Sequence, residues 1–286
     1  MLEVAPEIFA GWFNQGVALQ KLGRYEQAAA AYARAAELDP QSCDAHLALG
    51  AMLQELERWE PTQAAYQKAL DIDPNLRTAL WNQGLLLERL QRTEEAQGVY
   101  RKMVALDSSD EDAWFRLGLI RLQASDFAQA LQSFENCANL QRKSPEVLLN
   151  IGIAHWRMND PSAAKDAFRR VLGMDPKSAD ALRCLAALAI EYQDFRQALT
   201  LYMQILDAVG SGAALLYNIG LLHQKLGRAK EAVGFYRQAL AEKPDFTEAW
   251  LNLGHALMIL GSHDEARSSW KNALAGNPEL AEQFLV

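Results

Sequence analysis

Apolar and small residues recur along the chain in stripes that repeat every 34 positions. In each 34-residue unit, a first segment places such residues at spacings of three, four and seven. The last unit shows this stripe in Trp250, Leu253, Gly254 and Leu257. These spacings bring side chains to one face of an α-helix. A second segment in each unit carries small and aromatic residues of its own, so every unit predicts a pair of helices and the chain is predicted to be all-α.

The repeat stays in register from residue 9 to residue 280. A shift of 34 residues aligns one small residue of the first segment: Gly16, Gly50, Gly84, Gly118, Gly152, Ala186, Gly220 and Gly254. The same shift aligns one aromatic residue of the second segment: Tyr32, Tyr66, Tyr100, Phe134, Phe168, Tyr202, Tyr236 and Trp270. Such a period predicts an array of stacked helical hairpins.

The glycines of this pattern predict how each hairpin is built. Glycine inside a helix costs about 1 kcal/mol relative to alanine, so the stripe glycine is expected where the second helix comes very close. An alanine of that helix, such as Ala28, is the expected partner. Gly23 lies between the two segments, where a left-handed residue ends a helix, and Asn159 takes the same place in repeat five. Prolines such as Pro40 then end the second helix.

The pattern resembles that of the tetratricopeptide repeat (TPR) family, whose signature is Trp-x-x-Leu-Gly-x-x-Tyr, then Ala-x-x-x-Phe, then Pro. Residues 114–118 (WFRLG) and 250–254 (WLNLG) match the opening, and residues 130–134 match the middle. The resemblance covers residues 9–280. It implies a right-handed superhelical α-solenoid of antiparallel helix hairpins, in which the first helices line a concave groove.

The expected organisation is a short lead-in, 1–8, eight repeats, and a truncated ninth helix or C-terminal tail, 281–286. The repeats are 9–42, 43–76, 77–110, 111–144, 145–178, 179–212, 213–246 and 247–280. In the tail, Phe284 occupies the place of the first aromatic of a ninth repeat. We expect it to fold back on the last helix and leave apolar surface there, so that the chain self-associates as a homo-oligomer through its C-terminal end.

Charge and composition narrow the choice of partners. The formal net charge is −8, which disfavours binding to a phosphate backbone, so no nucleic acid is expected. The longest apolar stretch, 184–190, is too short to span a bilayer, so no membrane insertion is expected. The three cysteines include no Cys-x-x-Cys pair, and the first residues carry no signal peptide. These features favour a cytoplasmic protein, the alternative being a chain that begins after a removed segment.

The sequence contains few candidates for catalytic or metal-binding residues. None of the five histidines has metal-ligand spacing, and His46 and His223 fall on the buried stripe, where a satisfied core histidine is expected. The acidic run 107–112 lies where a first helix begins, so N-capping and the helix dipole account for it better than a divalent ion. The sequence therefore predicts no catalytic residue, no metal and no cofactor.

The helix face opposite the core stripe is expected, by the resemblance, to line the groove. Its sixth repeat position is asparagine in five repeats: Asn14, Asn82, Asn150, Asn218 and Asn252. Arg116 holds this position in repeat four. An asparagine amide both donates and accepts hydrogen bonds, so the row predicts a grip on the backbone of an extended peptide. The row resembles the asparagine ladder in the repeat domain of eukaryotic O-linked N-acetylglucosamine transferase. The alternative is that asparagine is merely frequent at this position in the family.

Two further sets of residues flank the asparagines. Aromatic residues at the fifth and twelfth positions are either anchors for a partner or packing between neighbouring first helices: Trp81, Phe115, Trp156 and Tyr217. Trp81 and Trp156 are the ones expected to be exposed. Acidic residues at the second position add negative charge to the groove, or stabilise the helix start: Asp112, Glu146 and Asp180.

The function predicted is that of a non-catalytic scaffold holding a peptide or protein segment in its groove. Negative charge along the groove favours a basic and apolar partner. One alternative is a repeat region that presents substrates to the catalytic domain of a larger enzyme, such as a glycosyltransferase. Another is a self-assembling scaffold.

Overall fold

The computed structural model describes residues 8–140 and 144–276. These residues form sixteen α-helices and contain no β-strand. The helices are α1 (Phe9–Lys21), α2 (Tyr25–Leu38), α3 (Cys43–Glu55), α4 (Trp59–Ile72), α5 (Arg77–Arg89), α6 (Thr93–Leu106), α7 (Glu111–Gln123), α8 (Phe127–Asn139), α9 (Pro145–Arg157), α10 (Pro161–Met174), α11 (Ala179–Glu191), α12 (Phe195–Val209), α13 (Ala213–Lys225), α14 (Ala229–Glu242), α15 (Thr247–Ile259) and α16 (His263–Gly276). The predicted all-α class is confirmed.

The described residues fall into two compact units, 8–140 with α1–α8 and 144–276 with α9–α16. In each unit, every helix packs against the helix before it and the helix after it in the chain. Odd-numbered helices are the first helices of the hairpins, and even-numbered helices are the second. The fold is an α-solenoid of antiparallel helix hairpins. The tail 281–286, with Phe284, lies outside the described residues, so the self-association expected from it stays a prediction.

Each hairpin turns through a residue with a left-handed backbone. Gly23 has a φ of 70° and Asn159 a φ of 60°, as the sequence predicted. Other non-glycine residues adopt the same conformation in repeats two, three, four and six: Glu57, Gln91, Ser125 and Gln193. Since L-residues pay for this conformation, the turn geometry is imposed by the packing of the two helices it joins.

The stripe glycine makes room for an aromatic ring. A Cβ atom built on Gly118 would lie 2.5 Å from Cε1 of Phe134, and one built on Gly16 would lie 2.6 Å from Cε1 of Tyr32. The Phe134 side chain is 0% exposed. The nearest contact of the glycine is therefore this ring, and not Ala28 as the sequence predicted. The helical periodicity identifies the two faces that meet, but the atom that needs the space is the ring four residues further along the second helix.

Where this ring belongs to a tyrosine, its hydroxyl bonds to the twelfth residue of the same repeat. The Tyr32 hydroxyl donates to Gln20 Oε1 at 2.9 Å, and the Tyr236 hydroxyl donates to Gln224 Oε1 at 2.6 Å. Tyr66 and Tyr100 bond in the same way to Gln54 and Glu88. Repeats four and five, whose rings are Phe134 and Phe168, have Leu122 and Trp156 at the twelfth position. The twelfth residue therefore differs where the ring has no hydroxyl.

His46 and His223 are buried as predicted, but neither is fully satisfied. His46 Nε2 lies 3.1 Å from the Pro40 carbonyl oxygen, while the His223 ring stacks on Phe235 with centroids 5.2 Å apart. Nδ1 of both histidines has no hydrogen-bond partner among the described residues. Burial lowers the pKa of His223 below its ordinary value, because a buried imidazole is harder to protonate.

Candidate functional site

We call the groove face the side chains at the second, fifth, sixth, ninth and twelfth positions of the first helices within each unit. Three asparagines of this face are accessible and unengaged. Asn14 is exposed, and Asn82 and Asn218 are partly exposed. No hydrogen bond joins their amides to another described residue. Their donors and acceptors are available to a ligand.

The two other asparagines use their amides inside the protein. Asn150 is 9% exposed, and its Nδ2 donates to the Glu146 carbonyl oxygen at 2.9 Å. Asn252 Nδ2 donates to the Tyr217 hydroxyl at 2.8 Å and to the Glu248 carbonyl oxygen at 3.0 Å. These contacts bring Asn252 and Tyr217 together, and they take Asn150 out of reach of a ligand.

In the first unit, the Arg77 side chain contacts both Asp112 and Trp81. Its Nε donates to Asp110 Oδ2 at 2.7 Å, and its Nη2 lies 3.6 Å from Asp112 Oδ2. The Arg77 guanidinium lies 5.6 Å from the centroid of the Trp81 ring. Arg116, on the next first helix, places its guanidinium 5.9 Å from the same ring. The result is a half-buried indole with a cation near it from two helices.

Asp110 also begins α7, because its Oδ1 accepts a hydrogen bond from the Ala113 backbone N–H at 3.1 Å. The N-capping predicted for the acidic run is therefore confirmed. The hydrogen bond to Asp110 raises the pKa of Arg77 further above its ordinary value. Sequence analysis missed Arg77, although a basic residue at the first position of one repeat followed by an acid 33 residues later is a visible signal.

Fifth-position aromatics pack on the core ring of their own repeat. Ring centroids are 5.9 Å apart for Phe115 and Phe134, and 5.9 Å apart for Trp81 and Tyr100. Tyr217 lies 5.8 Å from Tyr236 in the same way. The neighbouring first helix contacts them too, since Asn252 bonds to Tyr217 and Arg116 lies over Trp81, so both helices contribute to their packing. Phe115 is 7% exposed, which leaves it little surface to offer a ligand.

The remaining predicted residues lie at the rim of the face. Trp156 is partly exposed, and its Nε1 donates to Glu191 Oε2 at 2.7 Å. Asp112, Glu146 and Asp180 are exposed in the first turns of their helices. Asp180 pairs with Arg183 at 3.2 Å. Three carboxylates therefore border the face, one in the first unit and two in the second.

Family models match most of this architecture. A tetratricopeptide repeat model matches residues 9–42, and another matches residues 53–111, 185–245 and 217–281. A model of the cytochrome c-type biogenesis protein H TPR domain matches residues 99–214. The fold and the family-model matches together identify a helical-repeat protein. The chain belongs to the tetratricopeptide repeat family.

Solved structures share the fold. A tetratricopeptide repeat protein from Parabacteroides merdae has a TM-score of 0.61 and 16% identity, over 87% of this chain and 98% of that one. PilF from Pseudomonas aeruginosa has a TM-score of 0.55 and 26% identity, over 77% and 96%. YrrB, described as a TPR protein with an unusual peptide-binding site, has a TM-score of 0.53 and 19% identity, over 65% and 96%.

No curated protein sequence matches the chain significantly. In the part of the chain that the structure describes, no helix has the length and apolar character needed to cross a membrane. Within the same residues, no three histidine, cysteine, aspartate or glutamate side chains cluster closely enough to hold a metal ion.

Proposed function

We propose that this chain is a non-catalytic scaffold whose groove face binds an extended segment of another protein. The observation that carries the proposal is the set of unengaged amides of Asn14, Asn82 and Asn218 at one repeated position. Asparagine is a mediocre helix former, so a row of unbonded asparagines inside helices has no structural benefit. Membership of the TPR family supports the same role, and YrrB is described as having a peptide-binding site.

The binding chemistry follows from the amide group. Each asparagine donates to a peptide carbonyl and accepts from a peptide N–H, and each such bond contributes about 0.5–1.5 kcal/mol. These contacts read the backbone rather than the side chains of the ligand. Trp81, partly exposed beside Arg116, offers an aromatic surface of the kind that dominates binding energy at interfaces. The exposed carboxylates favour basic side chains in the bound segment: Asp112 in the first unit, and Glu146 and Asp180 in the second.

A peptide-display experiment tests the proposal. The full chain is used to select binders from a phage-displayed library of random 12-residue peptides, and the best binder is titrated by fluorescence anisotropy. The variant Asn14→Ala/Asn82→Ala/Asn218→Ala removes the unengaged amides of both units, so it is expected to weaken this binder several-fold whichever unit holds the peptide, since the peptide groups bound there lose their partners. Its helicity should be unchanged or higher, because alanine is the better helix former.

The matched control is Gln132→Ala/Gln204→Ala/Gln238→Ala, which removes three amides from second helices. It should bind the peptide with wild-type affinity. Equal affinity of wild type and the asparagine variant would refute the groove face as the binding surface. The cytoplasmic location and the absence of catalysis stay predictions, as does the alternative of a substrate-presenting region of a larger enzyme.

A further inference from the structure

Repeat six departs from the other repeats at the packing of its core ring. Its small stripe residue is Ala186 instead of glycine, so a Cβ fills the space that the ring takes elsewhere. Seven rings lie under a glycine, and six of them, from Tyr32 to Phe168 and Tyr236, are at most 1% exposed. The seventh, Trp270 of the last repeat, is partly buried. Tyr202, under Ala186, is also only partly buried, which makes repeat six, among the described residues, the one internal repeat whose ring is not sealed in the core.

Tyr202 also lacks the usual partner for its hydroxyl. The twelfth residue of repeat six is Ile190, where the other repeats with a buried tyrosine have glutamine or glutamate. No hydrogen bond joins the Tyr202 hydroxyl to another described residue. Repeat six is thus the one place in the described chain where the tyrosine is kept but both features that hold it in the core are missing.

A cavity of about 480 Å³ lies beside this tyrosine in the second unit. Its polar wall is formed by Tyr202, Arg183 and Asn218, the last of which is an unengaged groove-face asparagine. Ile205, Val209 and Leu215 give it an apolar wall, and the Gly-Ser-Gly segment 210–212 closes one side. Gly210 stands where five of the other repeats have proline. The volume is large enough for the side chain and adjacent backbone of a bound peptide.

The charge of the lining identifies the side chain that fits. Among the described residues, Arg183 is the only charged one that lines the cavity. Its pair with Asp180 is exposed on both sides, at 59% and 70% of the side-chain surface. Exposed ion pairs of this kind contribute little to stability, so the guanidinium can donate hydrogen bonds to a second carboxylate. A tyrosine hydroxyl and an asparagine Nδ2 are further hydrogen-bond donors.

We infer that the cavity in repeat six is a selectivity pocket for one acidic side chain of the bound peptide, held by Arg183, Tyr202 and Asn218. The inference rests on the proposed function, since it assumes that the groove face binds a peptide. Because Asp112 and Glu146 favour basic residues elsewhere, the acidic preference is confined to a single position of the ligand. The ring that is less buried in repeat six is thus part of a site that distinguishes one ligand from another.

The test uses a positional-scanning library of 12-residue peptides, acetylated and amidated so that no terminal carboxylate competes. Aspartate or glutamate should be selected at one position. Replacing that acid by its amide should weaken binding to the wild-type chain about tenfold, which is the effect expected of a charge-assisted hydrogen bond. Arg183→Gln should reduce this preference to about threefold or less.

Two further variants separate the pocket from general packing. Tyr202→Phe removes only the hydroxyl, and Ile190→Gln supplies the partner that repeats one, two and seven contain. Each should reduce the preference for acid over amide about threefold. The control Tyr236→Phe removes a hydroxyl already bonded to Gln224 and should leave the preference unchanged.

Outcomes for the two proposals differ. If peptides bind but no position selects an acid, or if Arg183→Gln keeps the preference, the selectivity pocket is refuted and the groove function stands. A preference that falls as much in Tyr236→Phe as in Tyr202→Phe also overturns it. If no library peptide binds the wild-type chain, the proposed function fails, and the pocket fails with it.

Discussion

Replacing Gly118 by alanine tests the central packing feature of the hairpin. The new Cβ would lie 2.5 Å from Cε1, 2.7 Å from Cδ1 and 2.8 Å from Cζ of Phe134. These distances are far below van der Waals contact, so the ring or the helix must move. Phe134 is fully buried, so its ring cannot move without disturbing the side chains around it.

Three contributions determine the expected change in the free energy of unfolding. Alanine gains about 1 kcal/mol over glycine in helix propensity. Overpacking a core costs about 1–3 kcal/mol, and moving the ring outward loses part of the ~1.5–3 kcal/mol that burial of a phenylalanine contributes. The unfavourable terms dominate, so we expect Gly118→Ala to lower the free energy of unfolding by about 2 kcal/mol.

Gly98 provides the matched control in the same unit. It lies inside α6, and a Cβ built there would meet no described atom of another element within 4 Å. Gly98→Ala should therefore raise the free energy of unfolding by about 1 kcal/mol, because only the propensity term remains. Urea unfolding followed by circular dichroism at 222 nm measures both variants. If Gly118→Ala stabilises the protein as Gly98→Ala does, the close approach between glycine and ring is refuted.

Three more predictions concern stability. Arg77→Met should lower the free energy of unfolding by about 1–3 kcal/mol, because the buried Asp110 carboxylate loses its guanidinium partner. Arg183→Met breaks an exposed pair, so it should lower the free energy of unfolding by less than about 1 kcal/mol in the same urea titration. Gln91→Gly should stabilise by about 0.5–1 kcal/mol, since Gln91 has a φ of 59°; a thermal melt below that of wild type would contradict this. Burial lowers the folded-state pKa of His223 below its ordinary 6.5, so the free energy of unfolding should be flat above that pH and fall as the pH drops towards the folded pKa. The test variant is His223→Leu, because repeat eight has Leu257 at the same position. This variant should reduce the slope of the free energy of unfolding against pH in urea titrations at pH 5 to 8. An unchanged slope would show that the pKa of His223 does not change on unfolding. Burial also lowers the pKa of His255, which should account for part of the slope that remains.

The helical pairs, the turns and the family were accessible from the sequence because a period repeated eight times averages out local noise. The left-handed turn was predicted from Gly23 and Asn159 and observed at both. The partner of the stripe glycine was not predicted, because helical periodicity assigns a face and not the atom that fills a gap. The bond between Tyr32 and Gln20, repeated in three other hairpins, was not predicted, although all four repeats have glutamine or glutamate at the twelfth position.

Equal repeat positions did not give equal environments to the groove-face asparagines. Asn252 bonds to Tyr217, which stands at the fifth position of the preceding repeat. Before Asn82 the same position is Leu47, which has no hydroxyl to accept a hydrogen bond. The single-repeat pattern omits this dependence on the preceding repeat, so it predicted one uniform ladder where the structure has unengaged and engaged amides.

Site-specific photo-crosslinking tests the central claim, that the groove face binds an extended peptide, most directly. A benzophenone amino acid is placed at Asn82 or Asn218 of the groove face, and at Gln132 or Gln204 on second helices as controls. Each full-length variant is irradiated with the peptide selected from the 12-residue library, and the adducts are counted by mass spectrometry. The account predicts adducts from Asn82 or Asn218 and none above background from the controls. Adducts that form only from Gln132 or Gln204 would contradict it, because the ligand would then lie on the opposite face of the hairpins.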